Sequence, residues 1–184
     1  MYEHFVRSFG GRGSAAEVWI DKEAKLVKKY YKFNGIGHAG NVIVENNYDK
    51  LKYLWQTEIE WSEKLHEFSV TIRDYGEIEN GFYIIQDYYN PDLLVDYCDK
   101  TLHENYPRIR EEIVEFFELC KKHNIYKQNH ALSNMTGKDG KLKVFDFKYV
   151  EPRREDNRKW ELKCIHEWVC KIDEDLVPIL ESLV

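Results

Sequence analysis

The sequence predicts an α+β fold in which a strand-rich first half precedes a helix-rich second half. Short alternating apolar runs bounded by turn residues dominate as far as Tyr88, whereas apolar residues at helical spacing dominate after Pro91. The 184 residues, of which 43% are hydrophobic and 15% aromatic, are sufficient for one domain or for two small lobes that share a core.

The first predicted hairpin follows a cluster of glycines near the start of the chain. The run Glu17-Val18-Trp19-Ile20 leads into a turn at Asp21-Lys22, and residues 25–31 return as the second strand. The next segment, residues 34–47, is rich in Gly and Asn and is predicted to be irregular.

A helix and a second hairpin complete the first half. Apolar residues recur at helical spacing from Tyr48 to Phe68, which predicts a helix over that range. Asn80-Gly81 lies between two alternating apolar runs, which is a strong hairpin signal. We therefore predict strands over residues 71–78 and 82–88.

The second half is predicted to be mainly helical. A small hairpin around Asp139-Gly140 would pair Met135-Thr136 with residues 141–145. Helices are predicted over residues 92–102, 107–123 and 157–184, the last with a break near Asp173 or Pro178.

The charge pattern argues against one class of function. The chain has 27 basic and 33 acidic residues, a net charge of −6, and the two signs are interleaved. A nucleic-acid binder would show a basic face and a high pI, so no nucleic-acid partner is expected. No signal peptide and no apolar segment of bilayer length is found, and we expect the chain to work in the cytoplasm of the producing cell or of a host cell.

Four cysteines are scattered along the chain without a C-x-x-C pair, which predicts reduced core thiols rather than a disulfide framework. Cys164, His166 and Cys170 are close enough in sequence to be considered as metal ligands. Residues two apart on a helix point to different faces, however, so core packing is the preferred interpretation. The other two cysteines are Cys98 and Cys120.

The most informative segment begins at Tyr126 and reads Tyr-Lys-Gln-Asn-His-Ala-Leu-Ser-Asn, with Asp-Phe-Lys following from Asp146. The catalytic loop of protein kinases reads H-R-D-L-x-x-x-N and is followed by D-F-G. Asn134 and Asp146 occupy the two metal-binding positions, and their oxygens are hard ligands suited to magnesium between phosphates. Asn129 occupies the position of the catalytic Asp.

A glycine-rich segment precedes the first hairpin. Residues 11–18 match G-x-G-x-x-G-x-V, except that Ala16 replaces the third glycine. Such a loop allows backbone amides to lie over phosphates, because no side chain blocks the approach. Taken alone, the segment is also typical of an ordinary turn between strands. The predicted nucleotide-binding residues here are Gly11, Gly13, Ser14, Ala16 and Val18.

Lys28 fits the lysine of the V-A-I-K motif, which grips the nucleotide phosphates in kinases. Lys29 is the rival, and strand alternation allows only one of the two to point inward. The lysine needs a glutamate on the following helix. We select Glu60, with Glu58 and Glu63 as alternatives.

The second hairpin ends in Gln86-Asp87-Tyr88, which resembles the strand end and hinge that hydrogen-bond an adenine through the backbone. The order of all these features over residues 8–150 resembles that of protein kinases. The resemblance implies Mg-ATP bound between two lobes, residues 1–89 and a shortened 90–184, of one kinase-like domain. It further implies that Lys28 and Glu60 clamp the phosphates.

A narrower resemblance concerns Gly-x-Gly-Ser-x-Ala-Glu-Val followed by Val-Lys-Lys-Tyr. This pair of segments looks like the trimmed effector kinases that pathogenic bacteria inject into host cells, the OspG and NleH type; trimmed kinase-like proteins also occur in phages. Only 36 residues follow Lys148, without an A-P-E motif, so the platform for a peptide substrate is expected to be mostly absent. Lys148 replaces the glycine of D-F-G, and we expect it to point to solvent rather than toward phosphates.

Asn129 leaves three functions open. A neutral amide cannot act as the general base, which is typically worth about 10²–10⁴ in rate. The first function is a Ser/Thr-type phosphotransferase acting on a protein, weakened naturally or by an engineered substitution. The second is a pseudokinase that regulates a protein partner, for which the effector resemblance implies a ubiquitin-conjugating complex as one candidate. The third is a small-molecule kinase or nucleotidyl transferase.

Overall fold

A computed structural model describes residues 3–4, 16–33, 47–88, 105–127, 134–137 and 140–184. The chain divides into two compact units. One unit contains residues 1–64 and 70–89, and the other contains residues 65–69 and 90–184. The strands and helices that were predicted within the described residues are present, whereas the predicted helix over residues 92–102 lies outside the described residues.

The first unit is built on a five-stranded sheet whose neighbouring strands are all antiparallel. The strand order is β1-β2-β3-β5-β4. Both predicted hairpins are present, and their ends agree with the prediction to within two residues. The strands are β1 (Glu3–His4), β2 (Glu17–Asp21), β3 (Leu26–Lys32), β4 (Ile72–Ile78) and β5 (Gly81–Asp87).

Gly81 explains why the second hairpin turns where it does. Its φ is +147°, a conformation that side chains rarely adopt. A Cβ atom at this position would lie 1.9 Å from the carbonyl oxygen of Tyr31 on the neighbouring strand β3. The hairpin therefore approaches β3 more closely than any residue other than glycine allows.

Helix α1 (Tyr48–Lys64) packs on this sheet through aromatic side chains. Trp55 stacks on Phe82 with 4.8 Å between ring centroids, and its indole nitrogen donates a hydrogen bond to the Tyr83 carbonyl at 3.0 Å. The helix ends four residues before the predicted end at Phe68, because residues 65–68 form turns. Those turn residues belong to the other unit.

The second unit is mainly helical, as predicted. Helix α2 (Tyr106–Lys122) buries one face, formed by Ile109, Ile113, Phe116, Phe117 and Cys120. In the described residues the other helices are α3 (Glu155–Trp168), α4 (Val177–Glu181) and three 3-10 turns at Phe147–Tyr149, Val169–Lys171 and Glu174–Leu176. None of the helices in the described part of the chain has the length and apolarity that crossing a bilayer requires.

The predicted break in the C-terminal helix is confirmed at Asp173. Its carboxylate accepts hydrogen bonds from the Tyr106 hydroxyl at 2.7 Å and from Arg110 at 3.1 Å, so the tail is tied to α2. Burial and this carboxylate raise the pKa of Tyr106. Pro178 lies in the first turn of α4, where it starts a helix rather than breaking one.

Two pairs of short strands surround the segment with the kinase-like motif. The predicted hairpin is formed by β7 (Met135–Thr136) and β8 (Lys143–Val144). A second antiparallel pair, β6 (Ile125–Lys127) with β9 (Val150–Pro152), was not predicted.

The described cysteines differ in environment. Cys120 is buried, and burial raises the pKa of its thiol to about 12. Cys164 is half-buried, whereas Cys170 is exposed, so the core interpretation is wrong for Cys170. His166 contacts Glu181 instead of either cysteine. Within the described ranges, no group of three or more His, Cys, Asp or Glu side chains is arranged to hold a metal ion.

Candidate functional site

One face of the sheet in the first unit carries an apolar surface that ends in a polar side chain. Residues directly opposite each other on antiparallel strands share a face. Ile20 lies opposite Val27, and Val27 lies opposite Gln86. Val18, Ile20 and Val27 form one buried cluster against which Tyr88 packs. The predicted residues Val18, Gln86 and Tyr88 are therefore brought together on one face.

A buried ion pair lies on the same face. Lys29 is opposite Val18 across the strands, and its ammonium donates to the carboxylate of Glu58 on α1. The side chains of Lys29 and Glu58 are only 4% and 2% exposed. The hydroxyl of the fully buried Tyr31 donates to the other oxygen of Glu58. Both oxygens of this carboxylate are thus held by donors from β3, which fixes its orientation.

The predicted pairing of Lys28 with Glu60 is wrong. Lys28 lies on the opposite face of β3, half-buried between Trp19 and Ile85 on the neighbouring strands. Glu60 is 56% exposed and accepts a hydrogen bond from Lys64 on the same helix. The rival lysine and the first alternative glutamate form the pair instead.

The backbone N–H groups of the predicted hinge are already paired. The Asp87 N–H donates to the Thr71 carbonyl at 2.9 Å, and the Tyr88 N–H donates to the Lys25 carbonyl at 2.8 Å. The Asp87 side chain binds Arg73 through two hydrogen bonds. The prediction that these residues bind a base through the backbone therefore does not hold for these two N–H groups.

Gln86 places a buried side-chain amide at this end of the sheet. Its side chain is buried, and its Nε2 has no hydrogen-bond partner in the described part of the chain. Burying an unpaired amide donor is costly unless a ligand or water completes the bond. Ala16 is also buried, while Gly11, Gly13, Ser14 and Asn129 lie outside the described residues.

The second unit brings the two predicted metal ligands close together along its backbone. Strand β7 pairs with β8, and the carbonyl of Asn134 accepts a hydrogen bond at 3.1 Å from the N–H of Phe145, the residue before Asp146. Asp146 has left-handed backbone angles, φ 68° and ψ 53°, and precedes the 3-10 turn. Aspartate is one of the few residue types besides glycine that tolerate this conformation.

Lys148 does not point to solvent as predicted. Its side chain is 3% exposed, and its ammonium donates to Oδ1 of Asp146, which is itself 24% exposed. The ammonium also lies 5.4 Å from the centre of the Tyr149 ring. The lysine that replaces the glycine of the motif is therefore paired with the predicted metal ligand.

Lys127 is a second buried cation in this unit. It is completely inaccessible to solvent, and its ammonium lies 5.4 Å from the centre of the Phe147 ring. Lys127 also pairs with Val150 across β6 and β9. The segment before Asn129 is thereby connected to the segment after Asp146. The sequence signal for Lys127 was that it occupies the position of the histidine in H-R-D. Its contact with Phe147 was not predicted.

The donor set of Asn134 and Asp146 fits magnesium in its chemistry. Magnesium is usually bound by one or two carboxylates together with phosphates and water, and an amide oxygen is a further hard ligand. One oxygen of Asp146 is shared with Lys148.

No protein-family model and no curated protein matches the chain. Solved structures of WbdD do resemble it, with 11% identity and a TM-score of 0.61 in one crystal structure. A second, described as the bifunctional kinase-methyltransferase WbdD, gives 10% and 0.61. A co-crystal structure with the kinase inhibitor LY294002 gives 11% and 0.57. The chain has a protein-kinase-like fold.

The kinase-like chain spans less than half of the proteins it resembles. The matches cover 97–99% of this chain but only 45–46% of the WbdD chains. They support a kinase-like fold, and they do not support the narrower OspG and NleH type. At this level of identity, the likeness concerns the fold alone.

Proposed function

We propose that this kinase-like chain binds Mg-ATP and acts as a kinase-type phosphotransferase. The observation that carries the proposal is the buried pair of Lys29 and Glu58. Kinases use a strand lysine, held by a helix glutamate, to grip the nucleotide phosphates. A buried ion pair adds little to stability compared with apolar packing, which favours a functional reason for it.

The first unit would receive the purine base on its apolar face. Val18 and Val27 would contact the base, and the Gln86 amide would complete its hydrogen bonding with a polar atom of the base. Tyr88 lies at the end of the same surface. Apolar walls with a few polar groups are typical of such sites.

The second unit would contribute the metal ligands and the residue at the position of the catalytic base. Asn134 and Asp146 would hold magnesium, as the motif order implies. The Lys127 contact with Phe147 would keep the two motif segments together. Asn129 would leave the substrate hydroxyl without a strong base, so turnover would be slow. Positioning and metal electrostatics carry most of phosphoryl transfer, and residual activity is consistent with that.

A second candidate function is favoured by Asn129 itself. A chain without the base would serve as a nucleotide-binding module that regulates a protein partner, such as a ubiquitin-conjugating complex. The same fold would also suit a small-molecule kinase or a nucleotidyl transferase. The preferred substrate is a Ser/Thr hydroxyl of a protein.

The test of nucleotide binding is thermal unfolding with and without ATP and magnesium. A ligand at a hundredfold its Kd stabilises a protein by about 2.7 kcal/mol, or about 5–10 °C for this size. We expect this shift in the wild type, its loss in Lys29→Met, and its retention in the matched control Lys28→Met. A shift that survives in Lys29→Met but not in Lys28→Met would contradict the proposal.

Turnover is tested by restoring the carboxylate. We expect Asn129→Asp to raise transfer of the γ-phosphate from labelled ATP by about 10²–10⁴, because a carboxylate can accept the hydroxyl proton. ATP binding without turnover in either form would favour the regulatory module. Label transferred from the α-phosphate would favour a nucleotidyl transferase.

A further inference from the structure

Lys148 is the departure from the D-F-G pattern that the proposed function leaves without a role. Two residues after Asp146, a position that holds glycine in the motif carries a side chain long enough to return to the aspartate. Its ammonium bonds Oδ1 of the predicted metal ligand.

The two partners differ in their access to solvent. The Lys148 side chain is 3% exposed and that of Asp146 is 24% exposed. A buried ammonium is very unfavourable unless an opposite charge accompanies it. The ring of Tyr149, 5.4 Å away, adds only a weak attraction to the ammonium. The lysine therefore depends on the Asp146 carboxylate and is held beside it.

This arrangement changes the charge that a divalent ion would meet. With glycine after the Asp-Phe pair, the ion approaches a carboxylate of charge −1. Here the carboxylate and the Lys148 ammonium sum to zero, and a bound divalent ion would face a neighbouring positive charge. Like charges placed together in a partly desolvated site are strongly unfavourable.

We propose that the Lys148 ammonium acts as a built-in cation at the metal position. It neutralises Asp146 and lowers the affinity of this site for a divalent ion. A consequence, which rests on the proposed function, is that ATP binding depends less on magnesium than it would with glycine at this position. The ammonium would supply one of the positive charges that the metal supplies elsewhere.

The first test uses Mn²⁺ alone on the full chain, with free Mn²⁺ measured by electron paramagnetic resonance. Lys148→Met is expected to tighten binding about tenfold or more, because the competing charge is removed. Adding Asp146→Asn to that variant is expected to abolish the gain. Lys148→Arg, which keeps the charge, and Lys163→Met, which removes an exposed lysine, are expected to bind as the wild type does.

Two results of this test would overturn the proposal. One is equal Mn²⁺ affinity in the wild type and Lys148→Met, and the other is a gain that persists when Asp146 is also replaced. Lys148→Gln also removes the charge but keeps a polar end for the Asp146 carboxylate, so it serves as a second variant if Lys148→Met does not fold. The same gain in Mn²⁺ affinity is expected there, and an affinity equal to that of the wild type would overturn the proposal.

The second test concerns the nucleotide and is kept separate from the first. Thermal unfolding with ATP is measured in EDTA and in magnesium. We expect ATP to stabilise the wild type and Lys148→Arg in both conditions, but Lys148→Met only with magnesium. Stabilisation of the wild type only in magnesium would overturn the consequence for ATP. No stabilisation of the wild type in either condition would refute the proposed function, while the Mn²⁺ result would still decide the role of Lys148.

Discussion

Replacing Glu58 with alanine is expected to lower the free energy of unfolding by about 3–5 kcal/mol, because it leaves the Lys29 ammonium buried without its carboxylate. The Tyr31 hydroxyl would lose its acceptor at the same time. Stabilities of natural domains are about 5–15 kcal/mol, so this loss would be a large part of the total. Urea unfolding of both forms, followed by circular dichroism, measures the difference.

Glu60→Ala is the matched control, since it removes the same side chain two residues later on the same helix. Glu60 is exposed, and its contact with Lys64 is of a kind worth at most about 0.5 kcal/mol. The double variant Lys29→Met with Glu58→Leu is expected to recover much of the lost stability, because well-packed apolar residues can replace a buried pair. Equal losses in Glu58→Ala and Glu60→Ala would contradict the observed pairing.

Gly81→Ala is expected to cost about 3 kcal/mol or more, through backbone strain and a collision that no rotamer can relieve. The new Cβ would lie 1.9 Å from the backbone oxygen of Tyr31, so β3 or the hairpin must shift. Since Tyr31 also holds Glu58, the same shift is expected to weaken ATP binding. Thermal unfolding with and without ATP measures both effects.

Gly76→Ala on β4 controls for the loss of a glycine in the same sheet. Its added Cβ would meet the ring of Tyr83 at 2.9 Å, a side chain that is able to move, and Gly76 has no positive φ. We expect a clearly smaller loss of stability there. A loss in Gly76→Ala as large as that in Gly81→Ala would show that the turn conformation is not what makes Gly81 necessary.

The order of strands and helices was predictable because the spacing of apolar residues and the positions of turn residues indicate the same elements along most of the chain. The Asn80-Gly81 turn, both hairpins and α2 all followed from such local signals, and their bounds agree within a few residues. Strands β6 and β9 were missed because three residues are too few to show alternation. Their pairing is a tertiary contact between segments more than 20 residues apart.

The inward-facing lysine was not predictable from alternation. One face of β3 carries Val27, Lys29 and Tyr31, and the other carries Leu26, Lys28, Tyr30 and Lys32. Each set contains one aliphatic residue, at least one lysine and one tyrosine, so the alternation of hydrophobic residues does not show which face of β3 is buried. The sheet pairing decides, because Lys29 lies opposite Val18 on the buried face.

The glutamate was misassigned because the end of the helix was misplaced. Ile59 and Leu65 would define the buried side of a helix that continued to Phe68, but Leu65 lies beyond the last helical residue. Within α1 the buried face includes Leu51, Trp55, Glu58 and Ser62 at helical spacing. Buried polar groups such as Gln86 and Lys148 could not be predicted either, since hydrophobic patterns do not identify them.

The pairing of β6 with β9 brings together the two ends of the segment that carries the kinase-like motif. Lys127 pairs with Val150, and 22 residues, 128–149, form the loop between these two positions. The predicted site residues of the second unit, Asn129, Asn134 and Asp146, all belong to this loop. Closing a loop of that length costs an entropy worth roughly 3 kcal/mol, and lengthening it adds little more. Lengthening this loop is therefore inexpensive, provided its two ends remain paired. Substitutions within it are a separate matter, because Phe147 and Lys148 are buried.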